Sequence, residues 1–203
     1  MPATSKKRST SGRKTTRRQT GTNNRSGIDA ISLLTKDHGT VRQLLKRLES
    51  STENGRGDSG ELLRQIENEL KIHTQIEEEI FYPAFRDAVE SEDDQKLYYE
   101  AFEEHHVVDL VLPEIKSSRK NSDEFAAKAK VLKDLVEHHA EEEETQMFPK
   151  ARRAMGASTL RDLGQRLKER KQELASGGRT SEGTINRVLR PFLGSGNKKR
   201  RAA

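Results

Sequence analysis

The sequence predicts an all-α protein: an up-down-up-down four-helix bundle with an additional C-terminal helix and disordered basic tails. Three observations carry this expectation. Apolar residues in the body recur at the three- and four-residue spacing of a helix. No segment alternates with period two for long enough to be a convincing strand. The connections between successive helical stretches are short, which makes consecutive helices antiparallel neighbours.

The first helix is expected over about 28–50, with Ile31, Leu34, Val41, Leu44, Leu45 and Leu48 on one side. The polar stretch STENGRGDSG, with three glycines, breaks it. A second helix over about 60–90 carries Leu62, Leu63, Ile66, Leu70, Ile76, Ile80 and Phe81. A third spans about 93–118. The fourth opens near Ser122, with Asp123 and Glu124 favourable in its first turn, and reaches about Met155, where Gly156 ends it. A fifth helix, about 158–174, is amphipathic through Leu160, Leu163 and Leu167 and is expected to pack outside the bundle. The organisation read from the sequence is therefore a disordered basic tail (1–27), a four-helix bundle (28–155), an accessory helix (156–175) and a basic flexible tail (176–203). Within that last tail, Ile185, Val188, Leu189, Phe192 and Leu193 offer material for one or two short amphipathic turns.

Charge is unevenly spread. Residues 1–27 hold eight Lys/Arg and no acid, and residues 175–203 hold seven Lys/Arg with Glu182 as the single acid. Residues 28–174 hold 23 bases against 32 acids, a net of −9, so the overall +5 sums an acidic body and two basic ends. Segments so poor in apolar residues cannot offset their ordering entropy, hence the expectation of disorder. Their Lys/Arg density suits a nonspecific, salt-sensitive contact with nucleic-acid phosphates. No aromatic is interleaved in the N-terminal tail, so no base-stacking platform is visible there. Contact with anionic lipid, or a solubilising role, fits the same composition.

Several classes are disfavoured. Cysteine is absent, which removes disulfides, thiolate metal sites and cysteine nucleophiles, and fits a cytoplasmic location. No apolar run approaches a membrane span of about 18 residues, and no apolar segment follows the basic N-terminus as a secretory signal requires. No serine sits in a glycine-flanked elbow and no phosphate-binding glycine loop occurs.

The informative feature is an internal repeat. The second helix contains His73-TQIEEEIFYP and the fourth contains His139-AEEEETQMFP. Offset by 66, they share His73/His139, Glu77/Glu143, Glu78/Glu144, Pro83/Pro149, Arg86/Arg152 and Ala88/Ala154. The first and third helices repeat each other as well. Val41, Leu44, Leu45 and Leu48 follow His38 at the same offsets as Val108, Val111, Leu112 and Ile115 follow His105, which selects His105 over His106 as the inward residue. The proline ten residues on selects His139 over His138 in the same way.

Residues i and i+4 share a helix face about 6 Å apart along the axis. A His-x-x-x-Glu pair on each of two helices, with single histidines from the other two, surrounds a bundle core with four nitrogens and two carboxylates. Imidazole suits iron, copper, zinc and nickel, and carboxylate shifts the preference toward iron or manganese. One carboxylate can bridge two ions about 3.5–4 Å apart. A ferritin-like site would instead read Glu-x-x-His.

On LLTKDH around His38, HTQIEEEIFYPAF from His73, EEHHVVDLVL around His105 and HHAEEEETQMFPKA around His139, the chain resembles the hemerythrin family in its HHE cation-binding form, over roughly residues 28–155. The resemblance implies a non-haem site of two Fe ions with an oxo- or hydroxo-type bridge, reacting with oxygen species. It also implies the ligands His38, His73, Glu77, His105, His139 and Glu143. Oxygen-carrying members place a second histidine where this chain has Asp109, which reads as either a ligand or a surface acid. They place the last carboxylate five residues after the final histidine, so Glu144 competes with Glu143. This harder, more anionic set points away from oxygen carriage alone.

The function expected is a di-iron protein that binds or senses oxygen or iron. The alternatives are a di-iron peroxidase or nitric-oxide-processing enzyme, and a nucleic-acid-associated stress protein using its basic tails on a helical scaffold. Glu78, Glu79, Glu141 and Glu142 read as solvent-facing, and His106 and His138 as surface or supporting groups. The aromatic residues Phe81, Tyr82, Phe85, Phe102 and Phe148 read as core, with hydrogen bonding near the metals the other reading for Tyr82 and Tyr98. Pro83 and Pro149 read as kinks or helix ends beyond the site.

Overall fold

In a computed structural model of the protein, residues 27–54, 58–120 and 122–177 are described. The two tails, and the turns expected at residues 185–193, lie outside the described residues. Every regular element within them is helical.

Helix α1 (Ala30–Asn54) starts at Asp29, whose Oδ1 accepts the Ser32 N–H at 3.0 Å. Helix α2 (Ser59–Ile76) starts at Asp58, which accepts the Glu61 N–H at 2.9 Å. It runs through a wide π-helical turn, Glu77–Phe81, into α3 (Tyr82–Ala88). Helix α4 (Glu92–Ser117) is capped by Ser91 and α5 (Asp123–Glu142) by Ser122. A second π turn, Glu143–Met147, leads from α5 into α6 (Phe148–Gly177). In each case a side-chain oxygen meets a backbone donor that the first helical turn leaves unpaired.

The prolines explain both π turns. Pro83 and Pro149 have no N–H, and their rings crowd the carbonyl four residues back. Each preceding turn widens, so Tyr82 N–H reaches Glu77 O and Phe148 N–H reaches Glu143 O, five residues away. The prolines therefore end neither helix. They widen the two turns that carry the repeated glutamates, and such bulges are frequent at functional sites.

Helix α1 packs against α2 and α5, and α4 packs against the same two, closing the four-helix ring. Gly156 breaks α6 with φ 72°, a left-handed value that suits glycine. Beyond it, α6 lies over α1 and α2 with Leu160, Leu163 and Leu167 buried. Gly164 lets this helix touch the start of α1: a Cβ there would sit 2.3 Å from Ile28 O.

The bundle interior is two apolar regions. One gathers Leu34, Ile76, Phe81, Tyr82, Phe85 and Phe148, the other Val41, Leu45, Leu70, Val108, Leu132 and Val136. Between them lies a layer of buried histidines and glutamates.

Candidate metal centre

The polar layer follows from sequence position. His38 falls between Leu34 and Val41 on the inward face of α1, and His73, His105 and His139 take the matching places on α2, α4 and α5, so each helix contributes one imidazole at the same level. Glu77 and Glu143 lie one turn further along, at the openings of the two π turns, and are 0% and 2% exposed.

The Nε2 atoms face inward. His38 Nε2 lies 3.1 Å from Glu143 Oε2, and His73 Nε2 lies 3.2 Å from Glu77 Oε2. His105 Nε2 is 3.5 Å from Glu77 Oε2, and His139 Nε2 is 3.7 Å from Glu143 Oε2. His105 and His139 bring their Nε2 atoms within 3.1 Å of each other. Two donor groups result, His38–His73–Glu77–Glu143 and Glu77–His105–His139, each with its atoms within 4.8 Å of one another. Glu77 belongs to both.

The Nδ1 atoms face outward onto a second set of carboxylates, arranged as a ring. Asp37, immediately before His38 on α1, faces His73 Nδ1 of α2 at 3.9 Å. Glu78, five residues after His73, accepts from His105 Nδ1 of α4 at 2.9 Å. Glu104, immediately before His105, accepts from His139 Nδ1 of α5 at 2.7 Å. Glu144, five residues after His139, accepts from His38 Nδ1 of α1 at 2.8 Å and is held by Arg42 at 2.8 Å. Each helix thus supplies the partner for the next helix's histidine, and the pattern repeats after two helices. An ionised carboxylate only accepts, so where the bond forms Nδ1 carries the proton and Nε2 keeps its lone pair for the centre.

The donor set fits a metal. Six buried atoms facing the centre have no hydrogen-bond partner: His38 Nε2, His73 Nε2 and all four carboxylate oxygens of Glu77 and Glu143. Each such orphan costs about 1–3 kcal/mol if left unsatisfied. With Nδ1 protonated on both rings, His105 and His139 point two lone pairs at each other across 3.1 Å, an arrangement that a cation relieves.

Burial and neighbours set the protonation. Burial pushes His73 down to about 4, against the pull of Asp37, and also lowers His105 against the pull of Glu78. His38 is raised: burial opposes its charged form, but Glu143 and Glu144 outweigh that. Burial drives Glu77 well above the usual carboxylate range, and the Glu143 charge pushes it further. Glu143 suffers the same burial, yet the charges of His139 and His38 hold it low. Tyr82 is raised well above an ordinary phenol by burial and then by Glu143 and Glu77, so it keeps its proton. Its hydroxyl lies 3.2 Å from His105 Nε2.

Aromatic rings and an apolar wall close the site. Phe148 stacks on His38 with centroids 5.8 Å apart and planes 5° off parallel. On the side of the histidines lined by Val41, Leu70, Val108 and Val136, a cavity of about 20 Å³ touches all four imidazoles. That volume admits one water-sized molecule.

The six donors implied by the resemblance come together, whereas Asp109 does not join them. On α2 the inward positions run 66, 70, 73 and 77, so the step after His73 is four. On α4 they run 101, 105, 108 and 112, so the step after His105 is three and Asp109 is left exposed. Between the competing acids, Glu143 is in the centre and Glu144 outside it on His38 Nδ1. Glu78, expected in solvent, is half-buried and bonded to His105. Asp37 and Glu104 carry no sequence signal beyond directly preceding an inward histidine. His106 is exposed, and the exposed His138 lies 3.7 Å from Glu104 and 3.8 Å from Glu142 at the surface.

A four-helix bundle with imidazoles from all four helices and two buried glutamates defines a cation-binding helical protein. The sequence profile of the Hemerythrin HHE cation binding domain matches residues 29–151, and the chain belongs to that family. A Nostoc sp. (strain PCC 7120) protein named DNA nickase is 28% identical over 138 residues, spanning 68% of this chain and 38% of that protein's length. The crystal structure of a Hemerythrin HHE cation binding domain-containing protein from Mycobacterium kansasii, a Rv2633c homologue, has a TM-score of 0.65. It covers 75% of this chain and 90% of its own, at 24% identity, a likeness of fold. No described helix is long and apolar enough to cross a membrane.

Proposed function

We propose that this protein holds two iron ions in the bundle and uses them to bind or sense a small oxygen-derived molecule or iron itself. The observation that carries the reading is the convergence of four Nε2 atoms on two buried, unpartnered glutamates, with Glu77 common to both donor groups. One ion would take His38, His73, Glu77 and Glu143, and the other Glu77, His105 and His139. When bound, the iron pair supplies redox and Lewis-acid chemistry toward dioxygen, peroxide or nitric oxide.

The chain's own residues prepare that site. Glu78, Glu104 and Glu144 fix the imidazole orientations from outside. Tyr82 presents a hydroxyl proton at His105. The wall of Val41, Leu70, Val108 and Val136 excludes bulk water and leaves space for a diatomic or water-sized ligand beside the imidazoles.

Metal content and the optical spectrum of protein loaded anaerobically and then exposed to air or peroxide test the reading. Two irons per chain, lost in His73→Ala and His139→Ala, are expected. Absence of iron after reconstitution overturns it. Sustained peroxide turnover by the loaded protein would move the assignment from sensor or carrier to peroxidase.

A second reading, association with nucleic acid, is favoured by charge segregation. Residues 28–147 hold 15 bases against 29 acids, whereas residues 148–177 hold eight bases against three acids. Arg161, Arg166 and Lys168 are exposed on α6, and among the described residues they make no ion pair. Ile28, near the first described residue, lies beside Gly164 of this helix, and the described residues end with the same helix at Gly177. The name of the Nostoc relative, DNA nickase, points the same way. Deleting residues 1–26 and 178–203 should weaken DNA retention in a salt-dependent way and leave iron content unchanged. Undiminished retention refutes a role for the tails.

A further inference from the structure

The ring of carboxylates around the histidines has one irregular corner. Three Nδ1–carboxylate distances are 2.7–2.9 Å, whereas His73 Nδ1 and Asp37 Oδ2 stand 3.9 Å apart. Both of these atoms are buried and neither has a hydrogen-bond partner. A buried donor and a buried acceptor facing each other without bonding is costly, and something must hold them apart.

The other oxygen of the same carboxylate carries a cation on the side away from the histidine, unlike Glu144, where Arg42 and His38 share one oxygen. Asp37 Oδ1 lies 2.7 Å from Lys171 Nζ, and Lys171 belongs to the part of α6 beyond Gly156, which stands outside the two-fold repeat. The equivalent acid, Glu104, has no lysine on it; it bonds His139 directly at 2.7 Å. Lys171 also approaches Glu69 of α2 at 3.7 Å, while the neighbouring Arg170 grips Glu79 at 2.7 Å. Helix α6 is therefore anchored independently of Asp37. The Lys171 side chain is partly exposed, at 28%, whereas that of Asp37 is 9% exposed.

We propose that Lys171 is a positioning residue for the metal centre: it draws Asp37 off His73 and so weakens the hold of the His38–His73–Glu77–Glu143 group on its ion. This rests on the two-ion reading above and adds a regulation to it. A carboxylate bonded to the far nitrogen raises a histidine's strength as a ligand, and such partners change metal affinity about 10–100-fold. Occupied by Lys171, Asp37 lends that help to His73 only at a distance. Movement of α6 that withdraws Lys171 frees Asp37 to close on His73 Nδ1. The accessory helix thereby controls one ion and leaves the Glu77–His105–His139 group, whose corners are already closed, unaffected.

The test compares full-length wild type, Lys171→Met, Lys171→Arg and Lys171→Met/Asp37→Asn, loaded anaerobically with Fe²⁺ and titrated with a competing chelator. Lys171→Met is expected to tighten one of the two ions by about tenfold or more and to leave the other unchanged. Lys171→Arg should behave as wild type. The double variant, with no carboxylate to close, should lose the gain. In Zn²⁺-loaded protein, NMR of the His73 Nδ1 proton should show a downfield, slowly exchanging resonance in Lys171→Met that is missing from wild type. Equal affinities in wild type and Lys171→Met, a weaker ion in Lys171→Met, or an unmoved His73 proton overturns the proposal. Failure of wild type to bind two ions instead overturns the two-ion reading itself.

Discussion

Gly164→Ala should destabilise this protein, although the same change in an ordinary helix interior stabilises by about 1 kcal/mol. The added Cβ would stand 2.3 Å from Ile28 O and 2.7 Å from both Asp29 C and Ala30 N. All three are backbone atoms at the start of α1, so no side chain can swing away. Comfortable carbon contacts begin near 3.5 Å, so the start of α1 or the outer part of α6 must retreat by about 1 Å. Overpacking of this kind costs about 1–3 kcal/mol. A clash with three backbone atoms that cannot swing away falls in the upper part of that range, about 2–3 kcal/mol, and set against the helix-propensity gain the net loss is about 1–2 kcal/mol. For a chain of this size that lowers Tm by roughly 2–8 °C. Thermal and urea unfolding of the metal-free protein measure it, and Gly164→Val should fall further. A Gly164→Ala variant at least as stable as wild type would refute the close approach of α6 to α1.

Other consequences are open to direct measurement. Val136→Phe should fill the cavity beside the imidazoles, abolishing nitric oxide binding by the iron-loaded protein while two irons are retained; persistent nitric oxide binding would place the ligand elsewhere. Asp109→Asn should leave metal stoichiometry and chelator competition unchanged, because its side chain is exposed and away from both donor groups. Metal-free protein should lose stability as pH falls from 6.5 toward 4. His73 sits at about 4 when folded and 6.5 when free, so in that window the unfolded chain binds the extra proton. The gap corresponds to roughly 3 kcal/mol for this histidine, and it is read as the difference in pH slope between wild type and His73→Gln in urea unfolding. The raised His38 works the opposite way above pH 6.5, where its contribution is lost as pH rises through its folded value. An identical slope in the two proteins would contradict the depressed His73.

The sequence by itself determined the bundle, because helical spacing of apolar residues and short connections admit few other packings. The repeat around His73 and His139 also put Glu77 and Glu143 on the face of their histidines, since a fixed i, i+4 spacing puts both groups on one helix face whatever the tertiary detail, but it left Glu144 in competition with Glu143. Asp109 has the same spacing from His105 and yet is exposed. The inward face of a helix alternates steps of three and four residues, and only packing decides which step follows a given histidine. The pairing of Asp37, Glu78, Glu104 and Glu144 with histidines on neighbouring helices was equally hidden, because it joins residues 27 to 106 positions apart. The widened turns at Glu77 and Glu143 needed Pro83 and Pro149, which the sequence displayed, but a proline can end a helix, kink it or widen it. Burial on both sides of the turn selected the last. The placement of Lys171 on Asp37 was decided by the break at Gly156, which folds α6 back over α1 and α2. Local spacing fixed what each helix offers to the centre, and the packing of one helix on the next decided which offers were taken.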